Sequence, residues 1–304
     1  MHSHRQAADR ALGTVDRIQG VLDGGRKWCF ASWQSAHPED IQRLKIQHFI
    51  DVWSTKLGRK HNDIVFRCSD EEASYITPAR DAMQVHSRIA EALDGETCKV
   101  FVDAFACVGG DTLAAMYQFR ESKIYSIEKS SAHDGRFERL KDNIEEFKQA
   151  LGGTVDVEAK SIGIGEFIKV SGDLMSISVL YLDPPWSLGP EHGSGASADG
   201  CQQSMYSPPA VISQFLNENV FTPLKEKNVY PKIIALKLPG IPSFPSIETI
   251  INQLGDEEYR QYELCTPRNR YAVYIFRHVT TTGVNEQTIS AEKPTLPQQP
   301  LHPP

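Results

Sequence analysis

The chain has 304 residues, 40% of them hydrophobic and 23% charged, and a formal net charge of −7. These proportions are ordinary for a soluble globular protein. The negative balance argues against broad electrostatic capture of nucleic acid, though it leaves room for a local basic patch. No apolar run approaches the roughly 20 residues of a membrane span. The N-terminal stretch Met1-His2-Ser3-His4-Arg5-Gln6 has no apolar core, so no secretory signal is expected. The six cysteines, at 29, 68, 98, 107, 201 and 265, show no Cys-x-x-Cys spacing. They are read as reduced thiols in an intracellular protein, nuclear or cytoplasmic, with neither a disulfide frame nor a metal site.

In chain order, Ala8, Ala11, Leu12, Val15, Ile18 and Leu22 share one face at helical spacing, and Gly24-Gly25 ends that helix. Trp28 and Trp33 follow beside Arg26 and Lys27. Such tryptophans either pack a core or stack on a substrate base next to groups that meet phosphate. A second helix is expected from about Pro38 to Lys56, with Phe49, Ile50 and Trp53 inward. Thr77-Pro78 then reads as a helix start, threonine capping and proline in the first turn.

From Lys99 the pattern alternates strand and helix, as in an α/β sheet. Strands are expected at 99–104, 123–127, 154–159, before Asp183, and at 233–238, with a helix over 208–224. Residues 259–265 and 270–276 read as a closing antiparallel hairpin. The expected organisation is a helical extension over 1–70, a doubly wound, Rossmann-like α/β domain over 71–278, and a disordered tail over 279–304, rich in Thr, Pro and Gln.

The stretch most informative for function is Asp183-Pro184-Pro185-Trp186, which stops the apolar run Ile177 to Leu182. Proline removes donors but keeps acceptors, so a carboxylate, a rigid carbonyl and an indole are held together at a strand end. They suit the holding of a flat ring by its exocyclic amine. The bland alternative is a rigid turn with a buried indole. Gly109-Gly110, after the first strand, lets backbone approach a ligand at the N-terminus of the next helix. Glu128, 25 residues after Asp103, falls at the end of the second strand, where an acid accepts both hydroxyls of a ribose. Glu166, after the third strand, is either an acceptor for an adenine amine or a solvated loop acid. Asp183 lies 80 residues after Asp103, three βα units on, so the two loops should sit side by side at the switch point of the sheet. A nucleoside cofactor on one and an amine acceptor on the other amounts to methyl transfer from S-adenosyl-L-methionine.

The segment Asp103-Ala104-Phe105-Ala106-Cys107-Val108-Gly109-Gly110-Asp111-Thr112 resembles the Asp-x-Phe-Cys-Gly-x-Gly-Gly-Asn-Thr cofactor loop of the trimethylguanosine synthases, the cap guanine-N2 methyltransferases. Ser74 to Pro78 is similar to their Ser-Val-Thr-Pro-Glu element, Gly165-Glu166-Phe167 to their Gly-Asp-Phe, and Asp183 to Trp186 to their Ser-Pro-Pro-Trp. The likeness covers residues 74–190 in the family's order. It implies a class I methyltransferase fold, S-adenosyl-L-methionine, and capped RNA as partner, with the 7-methylguanosine base stacked on Trp186. Carried onto this chain, it adds Thr77, Phe105 and Thr112 to Asp103, Gly109, Gly110, Glu128 and Glu166 as cofactor residues. Asp183 and Pro184 are the catalytic pair, and Trp28 and Trp33 are further candidates for the substrate. The chain departs from the family at Ala106-Cys107, at Ser187-Leu188 with the Gly/Ser-rich stretch to Gly200, and at Asp183 itself. The aspartate brings the motif nearer to that of adenine-amine methyltransferases. An N6-adenine enzyme, or an inactive RNA-binding subunit of the same fold, is the alternative.

Overall fold

A strand inside a parallel sheet must be apolar on both faces, and Ile177–Leu182 is buried at all six positions. In the computed structural model, residues 38–60, 63–129, 135–185, 209–239, 259–268 and 271–279 are described. The helix expected over 6–22 and the tail beyond 279 lie outside them. The strands are β1 (Val100–Asp103), β2 (Lys123–Ile127), β3 (Asp156–Lys160), β4 (Ile177–Leu182), β5 (Ile233–Pro239), β6 (Tyr259–Arg268) and β7 (Tyr271–His278). They form one sheet in the order β3-β2-β1-β4-β5-β7-β6. The first five are parallel, and β7 runs antiparallel to both β5 and β6. The chain steps outward from β1 to β3 and then returns to the other side of β1 at β4. This reversal is the switch point, where open α/β sheets hold their ligands beyond the carboxyl ends of the strands.

Period-two alternation divides the strand side chains between two cores. Phe101, Val179, Tyr181 and Ala235 face helices α1 (Pro38–Lys56), α3 (Ala79–Ala92), α4 (Gly110–Gln118) and α5 (Arg136–Ala150). Val102, Leu180, Leu182 and Leu236 face α6 (Ile164–Val170), α7 (Pro209–Leu216) and α8 (Thr222–Glu226). Lys237 falls on the first face, in phase with Ile233 and Ala235.

Helix α1 is built into the first core. Trp53 is 1% exposed, edge-on to Phe147 at 4.8 Å between ring centroids and tilted against Tyr117 at 5.8 Å. Burial of such a side chain contributes roughly 2–3 kcal/mol. The strap after α1 is fastened by the buried Asn143. Its amide accepts from Arg67 N and donates to the carbonyls of Arg67 and Val108. The expected boundary at residue 70 is therefore not a packing boundary.

Two local features differ from expectation. A short helix α2 (Asp70–Tyr75) precedes the Thr77 element, closed by a reciprocal capping box between Ser69 and Glu72. The helix expected over 208–224 is interrupted, because α7 passes into a π turn, Asn217–Phe221, before α8. Pro223 has no N–H to continue an α ladder, and the wider turn carries the chain past it. Among the described residues no helix is long and apolar enough to cross a membrane.

Candidate functional site

The loop after β1 is shaped by its hydrogen bonds. Ala104 N donates to Tyr181 O at 3.0 Å, and Ala106 N to Ile127 O at 2.9 Å, so the loop is stitched to β4 on one side and β2 on the other. Gly109, with φ of +101°, turns the chain into α4. A Cβ there would sit 3.1 Å from Leu140 Cδ1, and one on Gly110 would sit 3.2 Å from Ile76 Cγ2. Both contacts are tight enough that a side chain would have to yield, and the left-handed backbone of Gly109 favours glycine besides. Cys107, where the similar family has glycine, takes φ of +51°. Phe105, half-buried, points to the other core, its ring 5.9 Å from that of Phe215.

Asp103 and Thr112 are both fully buried and meet each other. The Thr112 hydroxyl donates to Asp103 Oδ2 at 2.6 Å and lies 2.8 Å from Ser126 Oγ. Burial pushes the Asp103 carboxyl up to about 8, the Asp111 carboxylate adds to this, and the Thr112 hydroxyl opposes it. Asp103 Oδ1 and Asp111 Oδ1 are buried acceptors with no partner in the protein among the described residues. At the end of β2, Glu128 takes the Cys107 backbone N–H on Oε2 at 2.8 Å and Arg136 on Oε1 at 3.2 Å.

The acceptor half follows β4. Pairing of Asp103 with Tyr181 across β1 and β4 puts Asp183, two residues further on, beside the β1 loop. Its side chain is 21% exposed. Lys237 Nζ, buried, donates to Asp183 Oδ2 at 2.5 Å and to Thr77 Oγ1 at 2.6 Å, and stands 3.7 Å from Asp111 Oδ2. The Thr77 hydroxyl in turn donates to Asp111 Oδ2 at 2.5 Å. Burial pulls the Lys237 ammonium down, but the Asp183 and Asp111 carboxylates outweigh it and hold the group above its ordinary value. Lys237 also lies 4.8 Å from the centre of the Tyr271 ring. Nearby, burial holds the His86 imidazole below its ordinary range, with Nδ1 at 2.8 Å from Ala82 O.

Thr77 therefore does not cap the following helix. Pro78 occupies the N-cap of α3 with no side-chain cap, and the Thr77 hydroxyl joins Asp111 and Lys237 instead. The structure brings Thr77, Asp103, Gly109, Gly110, Thr112, Glu128, Asp183 and the buried Pro184 to the carboxyl ends of β1, β2 and β4. Glu166 sits in the first turn of α6 after the edge strand β3, exposed, rather than on a free loop. Trp186, Trp28 and Trp33 lie outside the described residues. Sequence reasoning missed Lys237, Asp111 and Arg136. The signal for Lys237 was available, because it is the only charge in the apolar run Ile233 to Leu238.

No protein-family model and no curated protein matches the chain. Solved structures do. One described as "delta-N METTL16 MTase domain" superposes with a TM-score of 0.53 at 10% identity, over 80% of this chain and 98% of that one. A human "methyltransferase 10 domain containing protein" gives 0.53 at 12% identity, over 79% and 96%. The chain has the class I methyltransferase fold. At these identities the likeness is one of fold alone. A class I methyltransferase fold does not itself fix a substrate.

Proposed function

We propose that the chain transfers a methyl group from S-adenosyl-L-methionine to an exocyclic amine of a nucleic-acid base, and that this amine is N2 of the 7-methylguanosine cap of RNA. The observation that carries the reading is the register of β1 against β4, which sets the Asp183 carboxylate beside the Gly109-Gly110 loop. The residues present fit the cofactor. Glu128 stands where an acid meets ribose hydroxyls, and Asp111 Oδ1 is an acceptor suited to an ammonium. The glycine pair admits close backbone approach. When bound, S-adenosyl-L-methionine supplies an electrophilic methyl on a sulfonium.

The protein's own task lies with the amine, whose lone pair is delocalised into the ring. Asp183 accepts one N–H and the Pro184 carbonyl a second, drawing the nitrogen toward tetrahedral geometry and freeing the lone pair for in-line attack. The N–C bond forms as the C–S bond breaks, the electron pair leaves on sulfur as a thioether, and the surplus amine proton passes to solvent. Trp186 stacks on the base, a term of roughly 1–3 kcal/mol, and a cationic 7-methylguanine adds cation–π attraction. The cap is favoured by the four motif elements in the trimethylguanosine synthase order. One residue favours a second reading: Asp183, in place of that family's serine, suits N6 of adenine.

The test is incubation with methyl-labelled cofactor and either a capped dinucleotide or an uncapped adenine-containing strand. Label recovered in the cap guanine is expected. Label only in adenine selects the second reading, and label in neither, with cofactor bound, overturns both.

A further inference from the structure

We propose that Lys237 is a positioning residue: its ammonium fixes the Asp183 carboxylate against the β1 loop by way of Thr77 and Asp111, so that one buried ionic cluster aligns the two halves of the site. The inference rests on the methyl-transfer reading and deepens it.

Lys237 is 2% exposed in a strand otherwise filled by Ile, Ala and Leu up to its closing Pro239. A strand at this place needs only an apolar residue, and a buried ammonium is costly unless it is paired and hydrogen-bonded. Here the pairing has a direction. The partners come from three separate elements: Thr77 ahead of α3, Asp111 in the first turn of α4, and Asp183 after β4. An ammonium has three donors and no acceptor. The two short bonds of Lys237 go to Asp183 Oδ2 and Thr77 Oγ1, and its remaining face meets the Tyr271 ring. Tyr271 is itself fixed by a bond from its hydroxyl to Asp81 Oδ2 at 3.2 Å. The lysine approaches the carboxylate from inside the protein, while the Asp183 side chain reaches the surface.

The consequence is geometric. Attack by a weak nucleophile depends on alignment, and a misplacement of about 1 Å costs on the order of 100-fold in rate. Asp183 follows directly on β4 and precedes Pro184, so the backbone fixes where the side chain starts. The rotamer of the carboxylate is left to its partners, and Lys237 supplies a buried one. Thr77, itself bonded to Asp111, holds the ammonium in place, so the anchor of the acceptor carboxylate is fixed in its turn.

The experiment compares wild type, Lys237→Met, Asp183→Asn and the double variant. For each, turnover is measured on a capped dinucleotide and on an adenine-containing strand, the Kd for S-adenosylhomocysteine by calorimetry, and folding by thermal melt. Lys237→Met is expected to lower kcat about 100-fold, with KM for the acceptor and the Kd each within about 3-fold of wild type. Adding Lys237→Met to Asp183→Asn is expected to cost nothing further, because a residue that acts through another has no effect once that partner is disabled. Should Lys237→Met not fold, Lys237→Gln, a neutral donor in its place, carries the same expectations. Retention of kcat in the folded single variant overturns the inference. So does an equal loss in the Asp183→Asn background, or a loss of cofactor affinity in step with kcat, since each marks a merely structural lysine. A wild type that turns over neither acceptor overturns the methyl-transfer reading and this inference with it. A wild type that turns over beside an undiminished Lys237→Met overturns this inference alone.

Discussion

The backbone N–H of Cys107 donates to Glu128 Oε2 at 2.8 Å, tying the loop after β1 to the end of β2. Glu128 is only 8% exposed, and its other oxygen meets Arg136. The acid proposed to receive the ribose is therefore also a strut of the loop that would hold the rest of the cofactor. Glu128→Ala should weaken S-adenosylhomocysteine binding by about 10-fold or more, given that a lost hydrogen bond to a charged group costs about 1.5–3 kcal/mol. Glu128→Gln, which keeps an acceptor for the Cys107 N–H, should lose less. An unchanged Kd by calorimetry for Glu128→Ala would remove Glu128 from the site.

Cys107 occupies the left-handed region with a side chain that the similar family does without. Left-handed backbone costs a residue bearing a Cβ about 1–2 kcal/mol, and a β-branched side chain suffers most. Cys107→Gly should therefore melt within a few degrees of wild type, and Cys107→Val well below both. Burial, reinforced by the Glu128 carboxylate, pushes the thiol up to about 12, so it stays protonated and should alkylate slowly at pH 8. Equal melting of the two variants would show that the loop relaxes out of the left-handed region.

Removal of Asp183 has two effects that need separating. Asp183→Ala leaves the Lys237 ammonium buried without its closest carboxylate, a loss of about 3–5 kcal/mol in comparable buried pairs. Asp183→Asn keeps an oxygen for Lys237 and should fold with a smaller loss. Turnover should fall on the order of 100-fold or more in either, with S-adenosylhomocysteine still bound by Asp183→Asn. Full activity in Asp183→Asn would sink the catalytic assignment.

Asp103 makes stability depend on pH. Its ordinary value is 3.8 and its folded value is about 8. Between those limits the folded chain keeps a proton that the unfolded chain has released, so stability from this group is present below pH 4 and declines up to pH 8. Asp103→Asn keeps an acceptor for the Thr112 hydroxyl and does not titrate. Its melting temperature relative to wild type should therefore rise from pH 5 to pH 8, each unit of pH being worth at most about 1.4 kcal/mol. A gap that is constant or narrows with pH would show that Asp103 titrates near its ordinary value.

Local patterns in the sequence carried the strands and the placing of candidate residues at their ends. Apolar runs closed by Asp103, Glu128 and Asp183 mark three strand ends, and spacing alone set β1 beside β4. What it did not carry depends on contacts distant in sequence. Thr77 satisfies every local rule for a helix cap, yet its hydroxyl is drawn to Asp111 and Lys237. Lys237 contacts Thr77 across 160 positions of sequence, a separation no local pattern reports. Gly165 packs against the π turn at Asn219, 54 positions away, where a Cβ would lie 3.0 Å from the carbonyl oxygen, and no local pattern reports that contact. The capping box at Ser69 and Glu72 is legible, but six residues are too few for an apolar periodicity to mark the helix after it.

Helix α1 has a consequence for synthesis. Trp53 leaves the ribosome roughly ninety residues ahead of Phe147, the ring it meets edge-on. At about 5–20 residues per second, its indole is without that partner for roughly 5–20 s. The N-terminal part of the chain thus cannot finish folding in the order in which it is made. It waits, apolar face uncovered, until α5 has been delivered.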